Sequence, residues 1–288
     1  LVVGLESAGG VEHLRVGIAE RNPNLLSMIS DAEGNTLSIV AVLSLAGWGL
    51  GYFGQPHILA RFMAIKDSNA VPRARRIAVS WVVFCLATSV AAGMMAIPML
   101  DRTLSGPETE KAFIFLAEWL FHPALAGVVL AAVLAAIMST ADSQLLVASS
   151  AVAEDLYAGF WDEEASRRQL LWIGRMAVLA ISLVAFVIAL DPENMVLGLV
   201  AYAWAGFGAA FGPVVLLSLY WKRMNRYGAF AGMVVGGGTV VLWGDLSGGI
   251  FELYELVPGF VLASLAAVAG SLMLKGSTIG PVGNSSEW

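Results

Sequence analysis

Cysteine and charge are both scarce in this chain of 288 residues. The single cysteine, Cys85, excludes an internal disulfide framework and any cysteine-rich metal site. Charged residues make up 13% of the chain, whereas a soluble domain carries about a quarter. Together with 58% hydrophobic residues and a mean hydropathy of +0.77, this composition indicates an all-helical, polytopic membrane protein.

The sequence also lacks the residue groups on which most enzymes depend. It contains no metal-ligand cluster, no nucleophile paired with a base and no phosphate loop in a suitable context, so neither an enzyme nor a nucleic-acid partner is predicted. No signal peptide is visible, because residues 1–10 carry no basic region and their apolar run is too short to span a bilayer. We interpret residues 1–10 as the end of a helix, and the chain as the C-terminal portion of a longer protein.

Apolar runs long enough to cross a bilayer recur along the chain. Residues 77–100, for example, contain no charged side chain. About seven spans are predicted, near residues 37–65, 77–100, 123–141, 169–190, 195–221, 227–244 and 256–274. We expect one transmembrane transporter domain over residues 1–275, an amphipathic surface helix at 109–121 and a cytoplasmic tail at 276–288.

Basic residues indicate the orientation of these spans. If the spans alternate, twelve of the sixteen Lys and Arg residues fall on one side, and acidic residues dominate the other. The twelve are Arg61, Lys66, Arg73, Arg75, Arg76, Arg167, Arg168, Arg175, Lys222, Arg223, Arg226 and Lys275. Because cytoplasmic loops are enriched in Lys and Arg, we expect the C-terminus in the cytoplasm and residue 1 outside.

The first span is predicted to be interrupted at residues 47–57. Four glycines and Pro56 disfavour a continuous helix, since each glycine costs about 1 kcal/mol and proline about 3 kcal/mol. Non-helical backbone at membrane depth is tolerated where it faces protein or a water-filled cavity. The polar and aromatic side chains that suit a small polar ligand here are Trp48, Tyr52, Gln55 and His57. His57 is equally consistent with a polar wall or an interfacial histidine.

Residues 49–54 match the dinucleotide-binding pattern G-x-G-x-x-G. No strand precedes the pattern and no acid follows at the ribose-binding distance, so we reject a nucleotide site. Two interpretations remain open: close helix packing through small residues, or a break that lines a substrate site. Pro56, and the placement of Trp48 and Tyr52 on one helix face, favour the break.

Hydroxyl residues cluster at the inner end of the third predicted span. Ser139 and Thr140 are adjacent, and the carbonyl of Ala136 lies one turn before them, so three oxygens are available to one sodium ion. The alternative is that the hydroxyls bond back to a carbonyl of their own helix or join neighbouring helices by hydrogen bonds. Asp142, together with Ser143, is a candidate for a second cation or a proton. Asp142 is equally consistent with the N-cap of a helix that starts near Ser143.

A third pattern, at residues 202–213 of the fifth span, combines aromatic residues with small ones. The small residues permit close helix contact, and Pro213 permits a kink. The aromatic residues suit either the gate of a cavity or contact with lipid. We include Trp204 among the candidate substrate-binding residues.

These three patterns resemble the sodium/solute symporter family and are long enough to be specific for its proline branch. The matching segments are WGLGYFGQPHILARFMA (48–64), LAAIMSTADSQLLVASSAVAEDLY (134–157) and PENMVLGLVAYAWAGFGAAFGPVVL (192–216). VPGF (257–260) and YGAFAGM (227–233) also fit, so that the resemblance covers residues 35–275. It implies a leucine-transporter-like fold of two inverted five-helix repeats, in a bacterial inner membrane, with coupled uptake of L-proline and Na⁺.

The resemblance also implies roles for single residues. Trp48, Tyr52 and Pro56 would shape the proline site, and Ala136, Ser139 and Thr140 would form half of a sodium site. Asp142 departs from the small hydroxyl residue typical of the proline branch, which leaves the sodium stoichiometry open.

The repeats implied by the resemblance are only partly represented here. The predicted spans correspond to the second repeat and two additional helices, and the first repeat is missing. Two alternatives remain: a Na⁺ symporter for another small amino acid or carboxylate, and the membrane sensor part of a signalling protein.

Overall fold

The structure is a computed structural model that describes residues 1–100, 103–191 and 195–274. The predicted tail 276–288 lies outside these residues, as do Lys275, Asp101 and Glu193 of the charge pattern. The described residues form helices and contain no β-strand. The helices are α1 (Val2–Ser7), α2 (Val11–Arg21), α3 (Ile39–Gly47), α4 (Pro56–Met63), α5 (Val71–Met99), α6 (Ala112–Leu120), α7 (Pro123–Ser150), α8 (Arg167–Ala189), α9 (Val196–Tyr220), α10 (Arg226–Gly244) and α11 (Leu256–Met273).

Six helices, with their flanking turns, are long and apolar enough to cross a membrane: Ser68–Met99, Pro123–Ala158, Arg167–Ala189, Val196–Tyr220, Arg226–Gly244 and Leu256–Met273. The first predicted span differs from these, because its apolar helical segment Ile39–Gly54 is shorter and is not one regular helix. The amphipathic segment at 109–121 forms a 3₁₀ turn followed by α6, which buries Leu116 and Ala117.

Local sequence signals explain where several helices begin. The Ser38 hydroxyl accepts a hydrogen bond from the Ala41 N–H at 3.1 Å and caps α3. Ser166 and Gln169 form a reciprocal capping box at the start of α8. Pro56 and Pro123 stand in the first turns of α4 and α7, where the missing N–H of proline costs no helical hydrogen bond.

Helix α7 runs unbroken through the predicted end of its span. It is α-helical from Pro123 to Ser150 and continues as π-helical turns to Ala158. Asp142 therefore lies inside a continuous helix, and the interpretation of Asp142 as an N-cap is wrong. A cap needs non-helical backbone at its own position, which this helix does not have there.

The chain divides into two compact units. One unit comprises residues 1–34 and 66–195, and contains α1, α2 and α5–α8. Its core lies at the C-terminal end of α5, where Met95 and Met99 pack against Leu116 of α6. We call it the long-helix unit.

The other unit comprises residues 35–65 together with the chain from Val196 onwards, and contains α3, α4 and α9–α11. Its core is formed by Ala205 and Ala209 of α9, Val240 of α10 and Leu256 of α11. We call it the interrupted-helix unit.

Candidate functional site

The interruption of the first span is present in the structure at the predicted glycines. Helix α3 ends at Gly47, 3₁₀ turns occupy Trp48–Gly54, and α4 begins at Pro56. Gln55, between them, has extended backbone. These short turns leave backbone groups without the regular partners of an α-helix, and neighbouring elements of the same unit supply partners.

Glycines allow the interruption to lie directly against α9. A Cβ atom added at Gly208 of α9 would lie 2.7 Å from the Cα of Gly51, and one added at Gly54 would lie 2.8 Å from the Cα of Gly208. Side chains at these positions would overlap the neighbouring backbone, so only glycine fits. The small residues therefore serve close packing, one of the two roles that the sequence left open.

The aromatic candidates of the interruption and of α9 are brought together in this unit. The rings of Trp48 and Trp204 stack with their centroids 5.9 Å apart and their planes 15° apart. The Tyr52 ring meets Trp204 edge to face at 4.8 Å. Tyr52 is 47% exposed, so a large part of its surface can contact a solute. Aromatic surface with a polar tip suits a small molecule that has both apolar and polar parts.

Two hydrogen bonds fix Trp204 to the interruption. Its indole N–H donates to the carbonyl oxygen of Trp48 at 3.0 Å, a carbonyl that lies within the 3₁₀ turns. The Gln55 amide donates to the carbonyl oxygen of Trp204 at 3.2 Å. Gln55 is only 3% exposed, so its side chain joins two elements of the protein in this structure. A direct role for Gln55 in binding a substrate stays a prediction, as it does for Pro56, which is half-buried at the start of α4.

Tyr254 is a member of this aromatic group that the sequence did not reveal. It lies in the loop before α11, and its ring stacks on Trp48 with centroids 5.7 Å apart and planes 13° apart. No local pattern marks Tyr254, because its partners lie far from it in the sequence. The nearby VPGF segment, already matched by the resemblance, was the available signal.

The hydroxyl candidates lie in the long-helix unit, on α7. The Ser139 and Thr140 hydroxyls both donate to the carbonyl oxygen of Ala136, at 2.9 Å and 3.3 Å. Both hydroxyl protons therefore bond back to a carbonyl of their own helix, as the alternative interpretation of the sequence predicted. The same geometry gathers three oxygens within one turn, and each hydroxyl oxygen keeps lone pairs for a cation.

The second cation candidates lie one turn further along α7. The Ser143 hydroxyl donates to the Thr140 carbonyl oxygen at 2.9 Å, and Asp142 is exposed. Among residues 1–100, 103–191 and 195–274, no group of three or more His, Cys, Asp or Glu side chains could hold a metal ion. The groups that α7 offers to a cation are hydroxyl and carbonyl oxygens and the Asp142 carboxylate. Such oxygen ligands suit a hard ion such as Na⁺ better than a soft transition metal.

Six membrane-length helices indicate a multi-pass membrane protein. An interrupted apolar helix, as at Ile39–Gly54, is typical of secondary transporters. Residues 1–236 match the Sodium:solute symporter family, and the chain belongs to that family. Membership of a symporter family favours transport over the sensor alternative and over an enzyme.

Curated relatives agree with this assignment. The chain is 52% identical over 247 residues to a sodium/proline symporter of Salmonella typhimurium, which covers 84% of the chain and 49% of that relative. It is 52% identical over 244 residues to the sodium/proline symporter of Escherichia coli, covering 83% of the chain and 48% of the relative. An osmoregulated proline transporter of Bacillus subtilis is 44% identical over 278 residues, covering 95% of the chain and 55% of the relative. The chain thus spans about half the length of the curated relatives that it matches.

Proposed function

We propose that this chain forms part of a bacterial symporter that couples the uptake of L-proline to the entry of Na⁺. The observation that carries the proposal is the 52% identity over 247 residues to a protein named sodium/proline symporter. The family match over residues 1–236 includes both the interruption and the hydroxyl cluster of α7. The activity belongs to the full-length protein, because the relatives are about twice as long as the chain.

The substrate site of this proposal is the interruption. Trp48, Tyr52 and Trp204 form an aromatic group in which Tyr52 is exposed and the two tryptophans are half-buried, which suits the apolar pyrrolidine ring of proline. Pro56 ends the interruption and sets the direction of α4. Gln55 holds the interruption to α9 through the Trp204 carbonyl.

The sodium site of this proposal includes the Ala136 carbonyl and the hydroxyls of Ser139 and Thr140. Three oxygens are fewer than a hard cation prefers, so further ligands come from elsewhere in the full-length protein. Asp142 and Ser143 supply the second cation position of the proposal. Binding of Na⁺ at α7 stabilises the outward-open state, and proline completes that state at the interruption.

The fold and topology of the proposal follow the family. The chain forms one transporter domain over residues 1–275, comprising the second of two inverted repeats and two additional helices, with a cytoplasmic tail. The C-terminus lies inside, as the distribution of Lys and Arg indicates. Alternating access then lets Na⁺ enter down its gradient, and each charge moved inward gains about 2.3 kcal/mol per 100 mV.

The experiment uses the full-length transporter in proteoliposomes. Uptake of labelled proline is measured with an inward Na⁺ gradient and with Na⁺ replaced by choline. We expect uptake only with Na⁺, and inhibition by unlabelled proline in preference to other small amino acids and carboxylates. Uptake that is indifferent to Na⁺, or that another solute inhibits more strongly, would overturn the assignment.

A further inference from the structure

Tyr254 contacts three elements around the interruption, although it lies outside all of them. It occupies the loop between α10 and α11 and packs against the core of the interrupted-helix unit, which contains the fully buried Leu256. From there it reaches α3, the 3₁₀ turns and α9.

The ring of Tyr254 is the second aromatic partner of Trp48. The Trp48 ring is nearly parallel to Trp204 at 5.9 Å and to Tyr254 at 5.7 Å, with interplanar angles of 15° and 13°. Offset, nearly parallel aromatic pairs contribute about 0.5–1.5 kcal/mol beyond their buried area. The orientation of the Trp48 ring therefore depends on contacts with both Trp204 and Tyr254.

Hydrogen bonds fix Tyr254 itself. Its hydroxyl donates to the carbonyl oxygen of Ala201 at 2.7 Å, one turn before Trp204 on α9. Its backbone N–H donates to the Ser44 hydroxyl oxygen at 2.9 Å. The Ser44 hydroxyl in turn donates to the carbonyl oxygen of Val40 at 2.8 Å, within α3. The indole N–H of Trp243 donates to the carbonyl oxygen of Leu253, the residue before Tyr254, at 3.0 Å.

The protonation state of Tyr254 suits this role. Burial raises the pKa of its hydroxyl above the ordinary value for tyrosine, and the neighbouring Glu255 carboxylate adds to the rise. The hydroxyl therefore stays protonated over the physiological range and remains a donor to Ala201.

We propose that Tyr254 is a positioning residue that orients Trp48 in the substrate site, without itself contacting the substrate. The inference rests on the proposed function, since it assigns a role within the proline site. The Tyr254 hydroxyl is bonded to α9, and the Tyr254 ring packs on Trp48. Tyr254 therefore fixes the orientation of Trp48 relative to α9. Losing the hydroxyl loosens the ring, and losing the ring frees one face of Trp48.

The first test measures uptake by the full-length transporter at saturating Na⁺. Tyr254→Phe keeps the ring and removes the hydroxyl, so the proline concentration for half-maximal uptake should rise about threefold to tenfold. The maximal rate per transporter should stay near the wild-type value. Tyr220→Phe is the matched control, because it removes a hydroxyl from a tyrosine of α9 that is 83% exposed, and it should change neither quantity. An unchanged half-saturation in Tyr254→Phe, or a loss of protein amount alone, would overturn the inference.

The second test needs no substrate. Acrylamide quenching of tryptophan fluorescence is compared for Tyr254→Leu and wild type, and again with both proteins carrying Trp48→Phe. We expect Tyr254→Leu to increase quenching when Trp48 is present and to have no effect when it is absent. An equal increase in both backgrounds would mean that Tyr254 does not shield Trp48. If proline does not support uptake at all, the proposed function fails while this comparison still decides the link between the two rings.

Discussion

The two units of the chain use their helices differently. In the long-helix unit, at most 6% of the most apolar stretch of each membrane-length helix is buried. In the interrupted-helix unit, 28% of the corresponding stretch is buried in each of α9, α10 and α11. In a bilayer, the exposed apolar surface of the first group can face lipid, which requires only that side chains be apolar.

Glycine positions show what this difference means for the sequence. Gly93 of α5 and Gly127 of α7 have open space where a Cβ would lie, whereas Gly54, Gly208 and Gly228 face backbone or side chains at overlapping distances. At Gly54, Gly208 and Gly228 of the interrupted-helix unit, close neighbouring atoms fix the residue as glycine. At Gly93 and Gly127 of the long-helix unit, the open space would accept a side chain. The aromatic candidates lie in the interrupted-helix unit, and the hydroxyl candidates lie in the long-helix unit.

The largest expected effect is on packing around the interruption. Gly54→Ala would place a Cβ 2.9 Å from the Gly212 backbone nitrogen and would also overlap the Phe207 carbonyl oxygen, neither of which can rotate away. We expect a loss of about 3 kcal/mol in stability, as for severe overpacking. The measurement is the thermal unfolding midpoint of the full-length protein in detergent.

Gly93→Ala is the matched control for this prediction, because it makes the same chemical change in α5 where nothing lies within 4 Å. It should be neutral or stabilise the helix by up to about 1 kcal/mol. Equal destabilisation by both substitutions would contradict the distinction between the two units.

A smaller effect is expected where the start of α10 contacts the end of α11. The Asn225 side chain accepts hydrogen bonds from the N–H groups of Tyr227 and Gly228, and donates to the carbonyls of Ser271 and Leu274. Asn225→Ala removes all four bonds at a buried site, so we expect a loss of about 2 kcal/mol. The same unfolding assay measures it.

Asn22→Ala provides the comparison in the long-helix unit. Asn22 is likewise an N-cap, here of the 3₁₀ helix Pro23–Leu26. Its bonds to Asn24 and Ala32 lie nearer the surface. A loss of about 0.5–1 kcal/mol is expected there. If Asn22→Ala proved the more destabilising of the two, the account of the contact between the start of α10 and the end of α11 would be wrong.

The smallest effect on stability is expected at the hydroxyl cluster. Ser139 and Thr140 are exposed and bond only to their own helix, so Ser139→Ala and Thr140→Ala should each change stability by less than about 0.5 kcal/mol. In the uptake assay, however, each should raise the Na⁺ concentration for half-maximal uptake about tenfold or more, equivalent to roughly 1.4 kcal/mol. Unchanged Na⁺ dependence would remove these hydroxyls from the sodium site.

Much of the fold was predictable because it follows from local patterns. Long apolar runs gave the six membrane-length helices, and glycines with Pro56 gave the interruption. The N-cap interpretation of Asp142 failed because an acid followed by serine resembles a cap even inside a helix, and α7 continues past both residues to Ser150.

Contacts between distant segments were not predictable from the sequence. Tyr254 on Trp48, and Gln55 on the Trp204 carbonyl, depend on how α9 and α11 lie against the interruption. Patterns of spacing describe one helix at a time, so they named Trp48, Tyr52 and Trp204 as candidates without showing that the three rings meet.

The central claim, that the interruption forms the proline site, is tested most directly by equilibrium binding of labelled proline to the purified full-length transporter in saturating Na⁺. Tyr52 and Phe53 are adjacent and are 47% and 43% exposed, so their alanine variants form a matched pair. We predict that Tyr52→Ala weakens proline binding about tenfold or more, while Phe53→Ala changes it by less than about twofold. Wild-type affinity in Tyr52→Ala, or equal weakening in both variants, would contradict the claim.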